Sequence, residues 1–281
     1  MEAFPQLSLH SGDGCGNRFL LVQSAELRHA GESAEQLAQR VCGQHYDGLL
    51  VLGPTNAQAQ EIRIVNRDGS DGGCCLNGCR VAAAHHGGRR GKLRMAGHDI
   101  SWRQVADGIE LALPLSLHEI ALNPLSLPAK KNPAERVTVH GVNYWNPHVV
   151  VDVPAARMLL DCTDSFAAFP LADLAQRLRR ESQYFPQGVN VGLMERSVEG
   201  ASGYRLRVEE RGVGETAACG SGALAASAVL WNAGEEGRLL WQMGGGHLLL
   251  ERDSVGKIHL SGRAQVTSPV TLASLLRGAP N

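Results

Sequence analysis

Two cysteines in matching surroundings carry the clearest chemistry in this chain. Cys75-Leu76-Asn77-Gly78 runs into Cys79-Arg80-Val81-Ala82-Ala83-Ala84, and Cys219-Gly220-Ser221-Gly222 runs into Ala223-Leu224-Ala225-Ala226-Ser227-Ala228. Each reads Cys-x-polar-Gly followed by a helix of small residues, and each follows a glycine-rich acidic loop. The first N–H groups of a helix lack internal partners and carry partial positive charge, so they acidify a thiol and can bind a carboxylate. Two such helix starts meeting at one substrate would clamp an α-carboxylate and set a sulfur on each face of the α-carbon. One thiolate would remove the α-proton and the other thiol would supply one from the far side, inverting the centre. The carbanion would need the clamped carboxylate and a site without water. Only four lysines occur (Lys92, Lys130, Lys131, Lys257) and no pyridoxal phosphate site is apparent, so the thiols are expected to work without a cofactor.

Other readings of the same residues stand beside this one. A cysteine next to glycine in an alanine-rich helix is commonly a small buried hydrophobe, and the duplication is what favours catalysis. Cys75 and Cys79 have zinc-like spacing, but His85 and His86 are adjacent and Cys219 stands alone, so no metal is expected. GVGETAACGSG lacks the Lys-Ser/Thr of a phosphate loop, which argues against a nucleotide site.

The elements that must position the cysteines are mostly strands. Apolar runs with strand character occur at Phe19–Val22, Gly48–Leu52, Ile62–Val65, Ile109–Leu113, His148–Val153, Arg205–Val208 and His247–Leu250, separated by turn signals such as GDGCGN (12–17), NRDGSDGG (66–73) and GGG (244–246). Helical spacing appears over Ser33–Cys42 and Leu171–Arg180. The mixture implies an α/β or α+β protein. A length of 281 residues suggests about two domains, and the cysteines lie about half a chain apart, so two similar halves are expected. SLPAKKNPAE (126–135), with two prolines and a polar cluster, is the candidate linker.

Net charge is −1 and charged residues make up 20% of the chain, which recommends neither nucleic acid nor an anionic membrane as partner. The start MEAFPQLSLHSGDG has no basic region leading into an apolar stretch, and no membrane-length apolar run occurs. Seven cysteines without a secretory signal point to a reducing cytoplasm rather than a disulfide framework.

Asn66-Arg67-Asp68-Gly69-Ser70 and Cys75-Leu76-Asn77-Gly78-Cys79-Arg80 together resemble the first active-site motif of the diaminopimelate epimerase family, N-x-D-G-S…C-G-N-G-x-R. Glu210-Arg211-Gly212-Val213-Gly214-Glu215-Thr216-Ala217-Ala218-Cys219-Gly220-Ser221-Gly222 resembles its second motif nearly without change. GCGNRF (14–19), Asn146-Pro147-His148 and Asn190 match further family positions in the same order. The resemblance implies two pseudo-symmetric domains, each a curved, mostly antiparallel sheet wrapped around a central helix. It divides them at 1–127 and 128–265, with 266–281 returning to the first. It implies Cys75 and Cys219 as acid and base, with the backbone of Leu76-Asn77 and Gly220-Ser221 holding the reacting carboxylate. Asn66, Asn146, Asn190 and Arg211 match family positions for the distal carboxylate, Glu210 its ammonium, and Asn17 a polar contact near the reacting centre. A fixed arginine among amides suits bidentate capture of a carboxylate, although Asn66 and Asp68 also suit a plain turn, and Arg211 a surface ion pair. The implied activity is interconversion of L,L- and meso-2,6-diaminopimelate in lysine and cell-wall precursor synthesis, by a cytoplasmic enzyme that takes a small amino-acid substrate and forms a homodimer.

Leu76 and Trp145 depart from the pattern, each standing where the family has glycine. If position 76 takes positive φ, leucine is strained there and crowds the carboxylate clamp. Cys74 adds a thiol that can compete or oxidise. These departures keep two further readings open: a racemase of another amino acid, such as histidine, on the same fold, or a binding protein without turnover.

Overall fold

The computed structural model describes residues 7–43, 45–55, 59–197 and 203–276. In chain order the strands of its first half are β1 (Leu9–Gly14), β2 (Asn17–Gln23), β3 (Gly48–Thr55), β4 (Gln60–Asn66), β5 (Arg90–Met95), β6 (His98–Val105) and β7 (Gly108–Ser116), with helices α1 (Ser24–Ala30), α2 (Ala34–Val41) and α3 (Leu76–His86). There follow β8 (Ala121–Pro128), β9 (Arg136–Asn143), β10 (His148–Asp152), α4 (Val153–Leu160), α5 (Leu171–Arg179), β11 (Asn190–Arg196), β12 (Gly203–Glu210), β13 (Gly214–Thr216) and α6 (Gly220–Asn232). The chain then runs through β14 (Arg238–Met243), β15 (Gly246–Arg252), β16 (Lys257–Gly262), β17 (Gln265–Val270) and α7 (Leu272–Leu276). The protein is mixed α/β. No helix among the described residues is long and apolar enough to cross a membrane.

Two compact units result, Met1–Pro114 with Ser261–Asn281, and Leu115–Leu260. The proline-bearing stretch 126–135 is not a linker between them. It closes the antiparallel β8–β9 hairpin, in which Leu127 pairs with Val137 inside the second unit. Proline and a polar cluster mark a hairpin turn as readily as a domain boundary.

In the first unit β2 and β3 pair in parallel, β3 and β4 antiparallel, β4 and β5 in parallel, and β5 and β6 antiparallel. β17 returns to pair with β1, setting Val270 opposite Leu9. Helix α3 touches β1 to β6 and β17, so strands surround it. Its run Leu76 to Ala83 is buried, and the small residues are what let the strands close in. A Cβ on Gly78 would stand 2.9 Å from Leu50 Cδ2. The β2 and β3 runs are apolar throughout because both faces are covered. Leu20, Leu49 and Val65 pack with Leu27, Leu37 and Val41 of α1 and α2, whereas Leu50 meets α3.

The second unit repeats the plan. β10 and β11 pair in parallel, β11 and β12 antiparallel, β12 and β14 in parallel, and β14 and β15 antiparallel. Helix α6 touches β9, β10, β11 and β15, and from Gly220 to Val229 every residue is buried. Helices α4 and α5 cover the opposite face, with Leu159, Leu174 and Leu178 against Val149, Val151, Val191 and Leu193. In each unit the central helix therefore begins directly after an antiparallel pair and before the strand that returns in parallel.

Every apolar run read as a strand lies in one, except that Val153 opens α4, because Asp152 Oδ1 accepts the Ala155 N–H at 2.8 Å and caps a helix there. The first helical reading is α2, with Ser33 accepting the Gln36 N–H at 3.1 Å as its cap, and the second is α5. Strands such as β5, with only Leu93 and Met95 buried among charged neighbours, carry too little apolar signal to be read from sequence.

Candidate active site

The two cysteines occupy the same position in their helices with nearly the same backbone. Cys75 caps α3 at φ −112 and ψ 105, and its sulfur accepts the Gly78 N–H at 3.3 Å. Cys219 caps α6 at φ −134 and ψ 107, and its sulfur accepts the Gly222 N–H, also at 3.3 Å. A neutral thiol is a weak acceptor and a thiolate a strong one, so this capping bond favours the charged sulfur, as does the partial positive charge of the helix start.

Glycine three places on is required by space. A Cβ on Gly222 would lie 2.7 Å from Val208 Cγ2 and 3.4 Å from Cys219 Sγ. Gly222→Ala is therefore expected to shift the first turn of α6, costing about 1–3 kcal/mol of stability as other overpacked sites do. It should also slow alkylation of Cys219; chemical denaturation and thiol-labelling rates measure both effects.

In the first unit, Asn77 Nδ2 donates to Asn17 Oδ1, and Asn17 Nδ2 to Asp47 Oδ2 at 3.2 Å, so the β1–β2 hairpin is tied to the first turn of α3. Asn66, the last residue of β4, builds the turn that leads toward Cys75. Its side chain donates to Ser70 Oγ at 3.0 Å, and Asp68 Oδ1 accepts from both the N–H and the hydroxyl of Ser70. The turn reading of Asn66 and Asp68 thus describes what these side chains do here.

Leu76 is not strained. It is the first residue of α3, lies outside the positive-φ residues, and is 2% exposed. A helical φ suits leucine, and its side chain belongs to the core, so the expected crowding does not arise. Cys74 is also quiet: burial pushes its thiol up to about 12, leaving it protonated at neutral pH, and Cys79 is driven well above the ordinary thiol range for the same reason.

In the second unit a chain of side chains leads away from Cys219. Its sulfur lies 3.4 Å from Ser221 Oγ, which lies 3.1 Å from His148 Nε2, which in turn lies 3.5 Å from Asn190 Nδ2. Asn190 Oδ1 accepts the Arg211 N–H at 2.8 Å, and the Arg211 guanidinium donates to the Gln187 carbonyl. Among the described residues Arg211 is held to the Gln187 carbonyl and is in no ion pair. Glu210, at the end of β12, accepts from Thr216 Oγ1 at 2.6 Å. Gly220 is the first residue of α6, and Asn146 lies half-buried in the turn before β10.

The sequence reading assigned no role to Tyr144 or His148. Tyr144 donates its hydroxyl to the Ser221 carbonyl and stacks on His148, ring centroids 5.9 Å apart. His148 was visible in Asn146-Pro147-His148, but its burial was not. It is 1% exposed, and desolvation lowers its pKa to about 3, so it is a neutral imidazole at neutral pH. Because the folded value lies below the ordinary 6.5, the stability it contributes is complete above about pH 6.5 and falls on acidification, by about 1.4 kcal/mol per pH unit until about pH 3. His148→Asn should lower the acid-limb slope of unfolding free energy against pH by one proton, as chemical denaturation from pH 7 to 4 would read.

A cavity of about 570 Å³ in the second unit is lined by Phe166, Arg205, Arg207, Glu215, Gln242 and Gly244 among others. None of the expected site residues lines it.

Residues 142–267 match the family model described as diaminopimelate epimerase. A diaminopimelate epimerase of Teredinibacter turnerae is 33% identical over 235 residues, covering 76% of this chain and 79% of that protein. One from Caldanaerobacter subterraneus subsp. tengcongensis is 30% identical over 268 residues, covering 90% of this chain and 94% of that protein. Among solved structures, a hydroxyproline epimerase from Agrobacterium vitis with bound trans-4-hydroxy-L-proline superposes at a TM-score of 0.68, at 15% identity, covering 97% and 94% of the two chains. A methylitaconate-delta-isomerase superposes at 0.54, at 10% identity, covering 95% and 94%. At these identities the structural likeness establishes the fold.

Proposed function

Since this chain belongs to the diaminopimelate epimerase family, a family of isomerases, we propose that it interconverts L,L- and meso-2,6-diaminopimelate with Cys75 and Cys219 as the acid and base. The observation that carries this reading is the duplicated cap: two sulfurs, each accepting the N–H three residues on at 3.3 Å, each at the start of a buried helix. Such a start can stabilise a thiolate and also present free N–H groups to an α-carboxylate. One sulfur takes the α-proton while the other, still protonated, delivers one to the opposite face. The two sulfurs exchange charge states in the process, and the net proton count does not change.

Glu210, Arg211, Asn66, Asn146 and Asn190 would receive the distal amino-acid head, with Arg211 and the amides on its carboxylate and Glu210 on its ammonium. Asn17 would stand near the reacting centre with Asn77, to which it is hydrogen-bonded. Leu76-Asn77 and Gly220-Ser221 would supply the backbone N–H groups for the reacting carboxylate. We place the activity in lysine and cell-wall precursor synthesis in the cytoplasm, and propose a homodimer.

The test is α-hydrogen exchange. Reduced protein in heavy water should wash out the α-proton signal of both L,L- and meso-diaminopimelate and bring either isomer to the same mixture. Trp145, tilted against Tyr144 at 6.1 Å where the family has glycine, favours including other amino acids, histidine and proline among them. Exchange of one of those without diaminopimelate would replace the substrate but keep the mechanism. Binding without exchange of any would make the chain a binding protein.

A further inference from the structure

Behind Cys219 the second unit buries a row of groups whose hydrogen bonds can run in more than one direction. Cys219 Sγ lies 3.4 Å from Ser221 Oγ, and Ser221 Oγ lies 3.1 Å from His148 Nε2. Cys219 is 4% exposed, Ser221 8% and His148 1%, so the row lies under protein rather than solvent.

Asn190 fixes which way the bonds at His148 point. Its Oδ1 accepts the Arg211 N–H at 2.8 Å, which turns its amide NH2 toward His148 Nε2 at 3.5 Å. An amide NH2 only donates, so Nε2 carries a lone pair. Burial keeps the imidazole neutral, and its proton is therefore on Nδ1, which meets no hydrogen-bond partner among the described residues. The Ser221 hydroxyl accordingly donates to Nε2, and its oxygen can accept the S–H of a Cys219 thiol. A Cys219 thiolate has no proton to give. It draws the hydroxyl proton to itself instead, because a hydrogen bond to a charged acceptor is about twice as strong as a neutral one. Tyr144 holds the row in place, stacking on His148 and donating its hydroxyl to the Ser221 carbonyl. The other titratable groups around the start of α6 are Glu210 and His140. Thr216 Oγ1 donates to Glu210 and also reaches the Ala218 carbonyl at 3.5 Å, whereas His140 on β9 pairs with Val150 of β10.

We propose that Ser221 is a positioning residue for the reaction: its hydroxyl turns toward His148 when Cys219 is a thiol and toward the sulfur when Cys219 is a thiolate. The inference rests on the two-thiol reading above, and it supplies what conversion of both isomers demands of Cys219, which is acid for one and base for the other. When Cys219 gives its proton to the α-carbon, the hydroxyl rotates from Nε2 to the new thiolate. When the thiolate takes an α-proton, the hydroxyl rotates back. Neither Ser221 nor His148 gains or loses a proton in either direction. Asn77, at the same spacing after Cys75, donates to Asn17 instead.

The test is a double-mutant cycle read at Cys219 without substrate, so it stands apart from which amino acid the protein converts. The midpoint pH of iodoacetamide alkylation at Cys219, located by tandem mass spectrometry, is measured in wild type, His148→Phe, Ser221→Ala and the double variant. Phenylalanine keeps a flat ring against Tyr144 but accepts no hydrogen bond, so the hydroxyl loses a partner in the thiol state only. His148→Phe should therefore lower the midpoint by about half to one unit, about three- to tenfold faster labelling below it, which is the worth of one neutral hydrogen bond. In the Ser221→Ala background the same replacement should shift nothing, because the effect travels through the hydroxyl. Ser221→Ala alone keeps the backbone N–H and removes the bond to the thiolate, so it should raise the midpoint, and Ser221→Thr should keep it near wild type. An unchanged midpoint in His148→Phe, or an equal fall in both backgrounds, overturns the proposal. Should His148→Phe not fold, the two Ser221 variants decide: a midpoint that alanine does not raise, or that threonine does not hold, overturns it equally. The α-hydrogen exchange experiment above tests the two-thiol reading separately.

Discussion

Under the proposed two-thiol mechanism, replacing either Cys75 or Cys219 by alanine is expected to lower the rate of inversion by at least about 10³-fold, about 4 kcal/mol of transition-state stabilisation, since each variant would keep only one of the two proposed proton-transfer groups. The loss should not take the same form for every isomer. A variant that keeps one sulfur can still remove the α-proton from the stereoisomer that presents it to that face, and can return solvent deuterium to the same face. Each single variant should therefore wash the α-proton out of one isomer without inverting it, and the two variants should favour opposite isomers. Proton NMR in heavy water, with each pure stereoisomer as substrate, reads both effects together. Inversion at near wild-type rate by either variant would remove that cysteine from the mechanism. Washout of both isomers by one variant would show that a second base serves the missing face. Folding is not expected to confound the measurement, because each cysteine lies at the start of its helix and alanine removes one sulfur atom, with its weak capping bond and, at Cys219, the contact with Ser221 Oγ at 3.4 Å.

The largest effect on stability is expected at Trp241. It is 0% exposed on β14, its ring lies 5.2 Å from that of Tyr204, and its indole N–H donates to Ser227 Oγ at 2.7 Å. Trp241→Ala should cost about 3–5 kcal/mol for lost burial and the cavity left behind. The Ser227 hydroxyl, itself 0% exposed on α6, would also lose its donor, adding about 1–3 kcal/mol. Together these approach the whole stability of an ordinary domain, so the variant should unfold in urea far below the wild type or not accumulate. Trp241→Phe keeps most of the volume and isolates the hydrogen bond, with an expected cost of about 1–2 kcal/mol. Equal midpoints for Trp241→Phe and wild type would show that the Ser227 bond contributes nothing. The helix that loses its seat in Trp241→Ala is the one that begins at Cys219, so stability and activity should fail together there, unlike in the cysteine variants.

Much of the candidate site was legible because its signals are local. A cysteine, a small or polar residue and a glycine ahead of an alanine-rich run specify a helix start, and the structure places a helix at both copies. The Ser33 cap and the apolar spacing behind it placed α2 to within a residue at each end. Legibility failed where a side chain's meaning depends on what folds over it. Leu76 looked like a strained substitution in the sequence and is an ordinary first-turn residue with a buried side chain. The motif around Asn66 and Asp68 gave no sign of the bonds these side chains make to Ser70, Asn66 Nδ2 donating to its hydroxyl and Asp68 Oδ1 accepting from it.

The sequence by itself determined the repeat: two short patterns, each able to cap and start a helix through contacts within four residues, and each therefore independent of the rest of the chain. It also determined the chemistry those starts can offer, because thiol, N–H and helix polarity are local properties. Only the tertiary structure decided which residues lose water. It brought β17 beside β1, so that Ser11 meets Thr267, 256 residues away. It buried Arg80 in the strand-wrapped helix α3 and took water from around His148, so that its imidazole is neutral at neutral pH. Burial is a sum over contacts distant in sequence, and the charge state of His148 follows from that sum rather than from the residues beside it in the chain.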